Sequence, residues 1–200
     1  MEQELFFRVA VATVFLATFA ISARFRYQAR KMGGTIPRAR EGKSILILRL
    51  IAAALLYLPL LAHMINPASM EWASIPVPAW LRWAAVAASL SLLPALVWLF
   101  ASIGRNISET VLTKRSHRLI THGPYRWIRH PLYSVATGIF IALGVAAANA
   151  FIVLVAVLAI MAVLVAIIPR EEAQLIAKFG DDYRSYRERT GRLLPRLLRR

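Results

Sequence analysis

Almost all of the positive charge in this chain sits between long apolar runs, at alternate joints, and that pattern limits the folds open to it. Of 25 Lys and Arg, 22 lie in three stretches: Arg24 to Lys43, Ile103 to His130, and the tail from Arg170. The apolar runs cover about residues 5–21, 45–65, 80–102, 131–148 and 150–168. A run of roughly 20 apolar residues, rising ~1.5 Å per residue in a helix, crosses ~30 Å of hydrocarbon. The pattern predicts an all-α, polytopic membrane protein: five transmembrane helices and a cytoplasmic C-terminal helical segment in one domain, 1–200. The excess of Lys and Arg on alternate loops places the N-terminus outside and the C-terminus in the cytoplasm. Glu2 and Glu4, rather than basic residues, precede the first run, so it reads as a retained span and not a cleaved signal.

Composition agrees. The chain is 58% hydrophobic yet carries a formal charge of +15. Nucleic-acid binding would need the basic residues spread over one face of a soluble fold, and here greasy runs separate them. Membrane lipids and a lipophilic small molecule are the expected partners. Without cysteine there is no disulfide, thiolate metal site or catalytic thiol.

The segment 66–78 has three prolines and no Lys or Arg, which marks an outer loop with Trp72 and Trp80 as interfacial anchors. Pro59 and Pro94 interrupt the second and third runs. Between the third and fourth runs lie about thirty residues with no long apolar run, in which Glu109 to Ile120 suits short extended structure. Loops of this length commonly bind ligands. Its end, Gly123-Pro124-Tyr125-Arg126-Trp127-Ile128-Arg129-His130-Pro131-Leu132-Tyr133, is polar, aromatic and basic, and stands against the start of an apolar helix.

The fourth and fifth runs are joined by an Ala-rich corner at Asn149, which makes them an antiparallel hairpin. Entry at Pro131 and exit near Pro169 then lie on one membrane face, a helix spacing of ~8 to 10 Å apart. Arg129-His130 and Arg170-Glu171-Glu172 become neighbours. Ser134, Gly138 and Ala142 give the fourth helix a small-residue stripe that admits another helix closely. Pro131 suits the first helical position, with His130 at the cap and free backbone donors facing an anion, aided by Arg126 or Arg129. Glu172 shares a face with Leu175, Ile176 and Phe179, so it points inward, whereas Glu171 lies with Gln174 and Lys178. Gly180 ends that helix, Asp181 or Asp182 caps the next, and Tyr183 and Tyr186 project together before Gly191.

These residues resemble a known group. Gly123-Pro124-Tyr125, Arg129-His130-Pro131 with Tyr133, Arg170-Glu171-Glu172 with Leu175, Phe179-Gly180, Tyr183, Tyr186 and Leu194-Pro195 are similar to the integral-membrane methyltransferases of the isoprenylcysteine carboxyl methyltransferase and phospholipid methyltransferase group. The likeness covers roughly the last hundred residues; the first three spans carry no comparable signature. It implies S-adenosylmethionine bound at the cytoplasmic ends of the last two spans, within 103–133 and 169–195, and methyl transfer to a lipophilic acceptor such as an isoprenylated carboxylate. Carried over, the cofactor-binding set is Gly123, Pro124, Tyr125, His130, Tyr133, Glu171 and Glu172. Glu171 or Glu172 would hold the ammonium, and His130 the carboxylate end. Arg170 and Arg129 would orient an anionic acceptor, and with Tyr133 they form the expected catalytic set, without a metal. A carboxylate acceptor needs no general base, whereas an amine or phenol would call on His130 or Tyr133. Val135 stands where many relatives have glycine, which bears on acceptor size.

Competing readings attach to the same residues. Arginines flanking spans commonly serve topology and headgroup contact. His63 suits a membrane interface, His117 and His122 a loop, and Tyr183 and Tyr186 interfacial anchors. His130 and Glu172 could be an ion pair that simply closes the hairpin. At the level of function, the alternatives are a sterol-type membrane reductase using NADPH, and a non-catalytic protein whose basic loops bind anionic lipid.

Overall fold

The computed structural model describes residues 2–33, 43–104 and 118–196. Their order is α1 (Glu2–Gly33), α2 (Lys43–Ile65), a 3-10 segment (Pro67–Ala73), α3 (Ala79–Ile103), a second 3-10 segment (Gly123–Arg126), α4 (Pro131–Ala146), α5 (Ala150–Ala162), a π-turn (Val163–Ile167), α6 (Ile168–Phe179) and α7 (Asp181–Arg189). Among the described residues β pairing is confined to two isolated bridges. The protein is an all-α polytopic membrane protein. Most of the expected extended segment at Glu109 to Ile120, much of the first basic loop and the last four residues lie outside the described residues.

Among the described residues, four helical stretches are long and apolar enough to cross a membrane: Glu2–Lys31, Lys43–Ile65, Ala79–Ile103 and Ala150–Phe179. The expected fourth span is shorter than the sequence implies. α4 has 16 residues, about 24 Å of helix, because it stops at Ala146 and a tight corner follows. There Ala148 adopts φ 51, and Asn149 caps α5 by accepting from the Ile152 amide at 3.1 Å while its side-chain amide donates to the Met70 carbonyl at 2.9 Å. One buried asparagine thus fixes the corner and the first 3-10 segment together. Trp72 and Trp80 are exposed there.

The last span departs from expectation at its other end. The chain does not leave the helix at Pro169 but continues to Phe179. Proline lacks the N–H for an intrahelical bond and its ring crowds the carbonyl four residues back. The preceding turn is correspondingly wide, with the Ile168 amide donating five residues back to Val163.

α4 lies at the centre of the bundle, packing against α3, α5 and α1. The core threads through Phe7, Val11 and Val14 of α1, Leu96 and Leu99 of α3, and Ile139 and Leu143 of α4. Large apolar side chains such as Phe6, Leu16, Leu154 and Val165 face outward, as lipid-facing surfaces require. The small-residue stripe of α4 performs two tasks. At Gly138, a Cβ would stand 3.0 Å from Leu92 of α3; Ser134 instead donates to the Leu193 carbonyl, at 2.5 Å. Val135 packs against the core.

Gly144 brings α4 against α5, where an added Cβ would stand 2.8 Å from the Val153 amide nitrogen and 2.7 Å from its Cγ2. Backbone cannot step aside cheaply. Gly144→Ala is expected to destabilise the protein by about 1 to 3 kcal/mol, read as a lowered unfolding midpoint in detergent.

Candidate active site

Ahead of α4, one position of unusual backbone shapes the polar segment. Gly123 has φ +59, and a Cβ there would lie 2.4 Å from Ser102 Oγ, so both conformation and space call for glycine. Pro124 then opens the 3-10 turn that buries Tyr125. Beyond it the chain meets its own C-terminal segment. The Gly191 amide donates to the Trp127 carbonyl at 3.0 Å, the Arg129 amide to Gly191 at 2.9 Å and the His130 amide to Arg192 at 3.1 Å. Gly191 is required here too, since a Cβ would strike the Leu194 carbonyl oxygen. Residues 190–195 therefore strap the loop onto α4.

His130 sits at the cap and Pro131 in the first turn of α4, and the strap holds that cap through the His130 amide.

The two polar segments meet across the hairpin. Arg129 Nε donates to Glu172 Oε1 at 2.9 Å, with both side chains less than a tenth exposed. Its Nη1 donates to the carbonyls of Arg187, at 2.8 Å, and Thr190. His130 lies between the acids, Nε2 3.4 Å from Glu172 Oε1 and Nδ1 3.5 Å from Glu171 Oε2. Arg187 and Arg192 approach the other Glu172 oxygen at 3.9 and 4.0 Å. Glu172 is inward, as its helical face requires. Glu171 does not lie off with Lys178 alone: it accepts from Tyr133 Oη at 2.7 Å and pairs with Arg49 of α2 at 3.8 Å.

Electrostatics follow from this arrangement. Burial disfavours the His130 imidazolium, but Glu171 and then Glu172 outweigh it, and the His130 pKa rises above its ordinary value. α7 brings two more tyrosines inward. Tyr183 and Tyr186 are buried, not interfacial, with ring centroids 5.9 Å apart. Tyr186 donates to the Tyr125 carbonyl at 2.6 Å, and burial pushes its pKa up to about 12. Burial likewise raises Tyr183, beside the Glu172 charge, and among the described residues its hydroxyl has no hydrogen-bond partner. α7 starts at Gly180, φ 55, and not at an aspartate cap; Asp181 pairs with Arg184 at 2.6 Å.

Two expected acceptor-orienting residues take other positions. Arg170 is exposed, one turn above the π-turn, and donates to the Ala166 carbonyl at 2.8 Å. Arg129 lies at the centre but is committed to Glu172 and two carbonyls. Sequence reading missed Arg49, the strap and the open hydroxyl of Tyr183. An arginine inside an apolar run was the available signal for the first.

Residues 85–177 match the model of the Isoprenylcysteine carboxyl methyltransferase (ICMT) family. The matched stretch begins within α3, earlier than the motifs alone indicate, and ends in α6 before the paired tyrosines and the strap. Among solved structures, the chain is similar to the eukaryotic intramembrane Ras methyltransferase ICMT (isoprenylcysteine carboxyl methyltransferase), solved without a monobody. The TM-score is 0.57 at 19% identity, over 93% of this chain and 67% of that one, a likeness of fold. No curated protein matches the chain.

Removing the Glu172 carboxylate leaves the buried Arg129 guanidinium without its ion-pair partner among the described residues. Glu172→Ala is therefore expected to cost about 3 to 5 kcal/mol, measurable as a loss of unfolding free energy in detergent. His130 gives a pH signature. Its folded pKa is raised, so its contribution is fully present below the unfolded value of about 6.5 and is lost as pH rises through the folded value. Thermal unfolding of wild type and His130→Gln should differ most on the acid side of that window and converge above it.

Proposed function

We propose that the protein is an S-adenosylmethionine-dependent membrane methyltransferase, acting on a lipophilic carboxylate of the isoprenylcysteine kind, with its site at the cytoplasmic face. The observation that carries this reading is the meeting of His130 and Tyr133 with Glu171 and Glu172 in a stretch of ICMT-family sequence. The basic loops at that end of the bundle favour N-terminus outside and C-terminus inside.

The residues present fit such a cofactor. Glu171 is one-fifth exposed and offers a carboxylate to an ammonium or sulfonium. The buried Tyr183 hydroxyl, lacking a partner among the described residues, is a donor awaiting an acceptor beside Glu172. Glu172 is surrounded by Arg129, His130, Arg187 and Arg192, which makes it the support of the site and leaves Glu171 the group facing a ligand. His130, Tyr133, Glu171 and Tyr183 are accordingly the residues we assign to cofactor contact, with Gly123, Pro124 and Tyr125 shaping the wall beneath them. In the single domain proposed, 103–133 and 169–195 form the site.

When bound, the cofactor would supply an electrophilic methyl for a carboxylate oxygen, leaving an ester and a neutral thioether, so this chain would need no residue to remove a proton. The chain's own task is to orient and exclude water. Tyr133, donating to Glu171, holds that carboxylate against His130; Arg129 and the strap fix the start of α4 beneath it.

Purified protein in detergent should bind S-adenosylhomocysteine saturably, with a thermal shift that grows with concentration. Glu171→Ala and Tyr183→Phe should each raise the half-saturating concentration at least ~10-fold while the unliganded protein stays folded. Stabilisation by NADPH instead, or by neither compound, would sink this reading.

A further inference from the structure

Past α6 the chain builds a second basic feature, separate from the cluster around Glu171. Gly180, with φ 55, turns the chain between Phe179 and Asp181, and α7 packs against α6. The buried residues of α7 are Tyr183 and Tyr186. Arg184, Arg187 and Glu188, at i, i+3 and i+4, therefore share a different strip of the same helix. Beyond the strap, Arg196 comes back to α7 and donates to the Glu188 carbonyl. These four residues and Ile176 of α6 line one cavity of about 410 Å³, within the ~300 to 1,000 Å³ range of small-molecule sites.

The wall of that cavity carries three guanidiniums against one carboxylate, Glu188. Among the described residues their contacts leave donors available. Arg184 uses Nη1 on Asp181 at 2.6 Å, Arg196 uses Nη1 on the Glu188 carbonyl, and Arg187 turns Nε toward Glu172 at 3.9 Å, beyond a hydrogen bond. A guanidinium has five N–H donors, so each keeps an edge for a ligand. All three arginines are exposed, and an anion reaches them without opening the fold. Planar forks of this kind hold phosphate oxygens in two-pronged contacts, and a phosphate monoester brings a charge of roughly −1.5 to −2 at neutral pH.

The depth of the cavity favours a lipid as the carrier. The helical stretch Ala150–Phe179 has 30 residues, about 45 Å of helix, against ~30 Å of hydrocarbon. Ile176 lies about 39 Å from the start of that stretch, past the hydrocarbon and inside the ~40 to 45 Å that includes the headgroups. Arginines at this level meet the anionic surface of the bilayer. We propose that the cavity between α6, α7 and the end of the strap binds the phosphate monoester headgroup of an anionic lipid through Arg184, Arg187 and Arg196. Arg187 links this site to the polar cluster, since its carbonyl accepts from Arg129 at 2.8 Å and its guanidinium faces Glu172. A headgroup held there fastens α7 and the strap to α6. The proposal goes beyond the methyltransferase reading and is independent of it, because binding a phosphate requires neither cofactor nor acceptor.

The test uses the full chain in a neutral detergent, with thermal shift as the readout. The probes are dioctanoyl phosphatidic acid, dioctanoyl phosphatidylcholine and glycerol 3-phosphate. Phosphatidic acid should stabilise wild type at a half-saturating concentration at least ~10-fold below that of the phosphatidylcholine. Arg184→Gln and Arg196→Gln, both at the surface, should unfold near the wild-type midpoint without ligand and each lose most of that preference. Arg189→Gln removes the same charge from α7 at an exposed position outside the cavity and should keep it. An equal loss in Arg189→Gln would mean that the lipid reads diffuse charge, and it overturns the proposal, as does the absence of a preference in wild type. Glycerol 3-phosphate that stabilises as strongly as the lipid, with the same dependence on Arg184 and Arg196, would uphold the phosphate site and overturn the membrane as its source.

Discussion

The buried pair between Arg129 and Glu172 is the contact on which the arrangement of this protein's polar end depends. Its two residues come from opposite arms of the α4–α5–α6 hairpin, and its remaining donors reach the end of α7 and the strap. A single guanidinium therefore fixes three parts of the chain relative to one another. Charges withdrawn from water in this way contribute little net stability, because desolvation consumes most of the Coulomb gain. What they contribute is geometry. With Arg129 satisfied by Glu172 and by two carbonyls, the neighbouring His130 and Glu171 have little freedom to rearrange, and the polar cluster is held in one arrangement.

This arrangement also explains why two adjacent acids have different fates. Glu172 falls on the inward face of α6, as its spacing with Ile176 requires, and cations enclose it. Glu171 is one hundred degrees further round the helix and reaches the gap toward α2, where Tyr133 and Arg49 meet it. The ion-pair reading of His130 and Glu172 and the ligand-binding reading of the same cluster are thus compatible. In the proposed reading one acid supports the site and the other faces the ligand.

Much of this was legible in the sequence because membrane helices obey few rules strictly. Apolar length marked the spans, and the short Asn149 corner required an antiparallel hairpin, which in turn required Arg129-His130 to approach Glu171-Glu172. The misjudged features share a cause: they depend on contacts between residues far apart in the chain. α4 stops early because Asn149 is anchored to Met70, and no local signal reveals that partner. Pro169 looked like an exit, yet a π-turn absorbs it and the helix runs on. For Tyr183 and Tyr186 the spacing says only that they project together, which left an interfacial role and a place in the site both open; their burial and the bond to Tyr125 decide that they project inward. Arg170 was placed at the site by its motif, whereas a helix turn directs it outward.

The division of labour between the two halves of the chain has a physical basis. The hairpin and the tail gather most of the ionisable groups of the site, and such groups need water or one another. α1 and α2 are mostly apolar and contribute surface, with Arg26 and Arg49 as exceptions on the sides turned toward Tyr133 and Glu171. A span with one such arginine sets an apolar surface and a cation close together, because the helix that turns its apolar side chains outward also places a guanidinium beside Glu171.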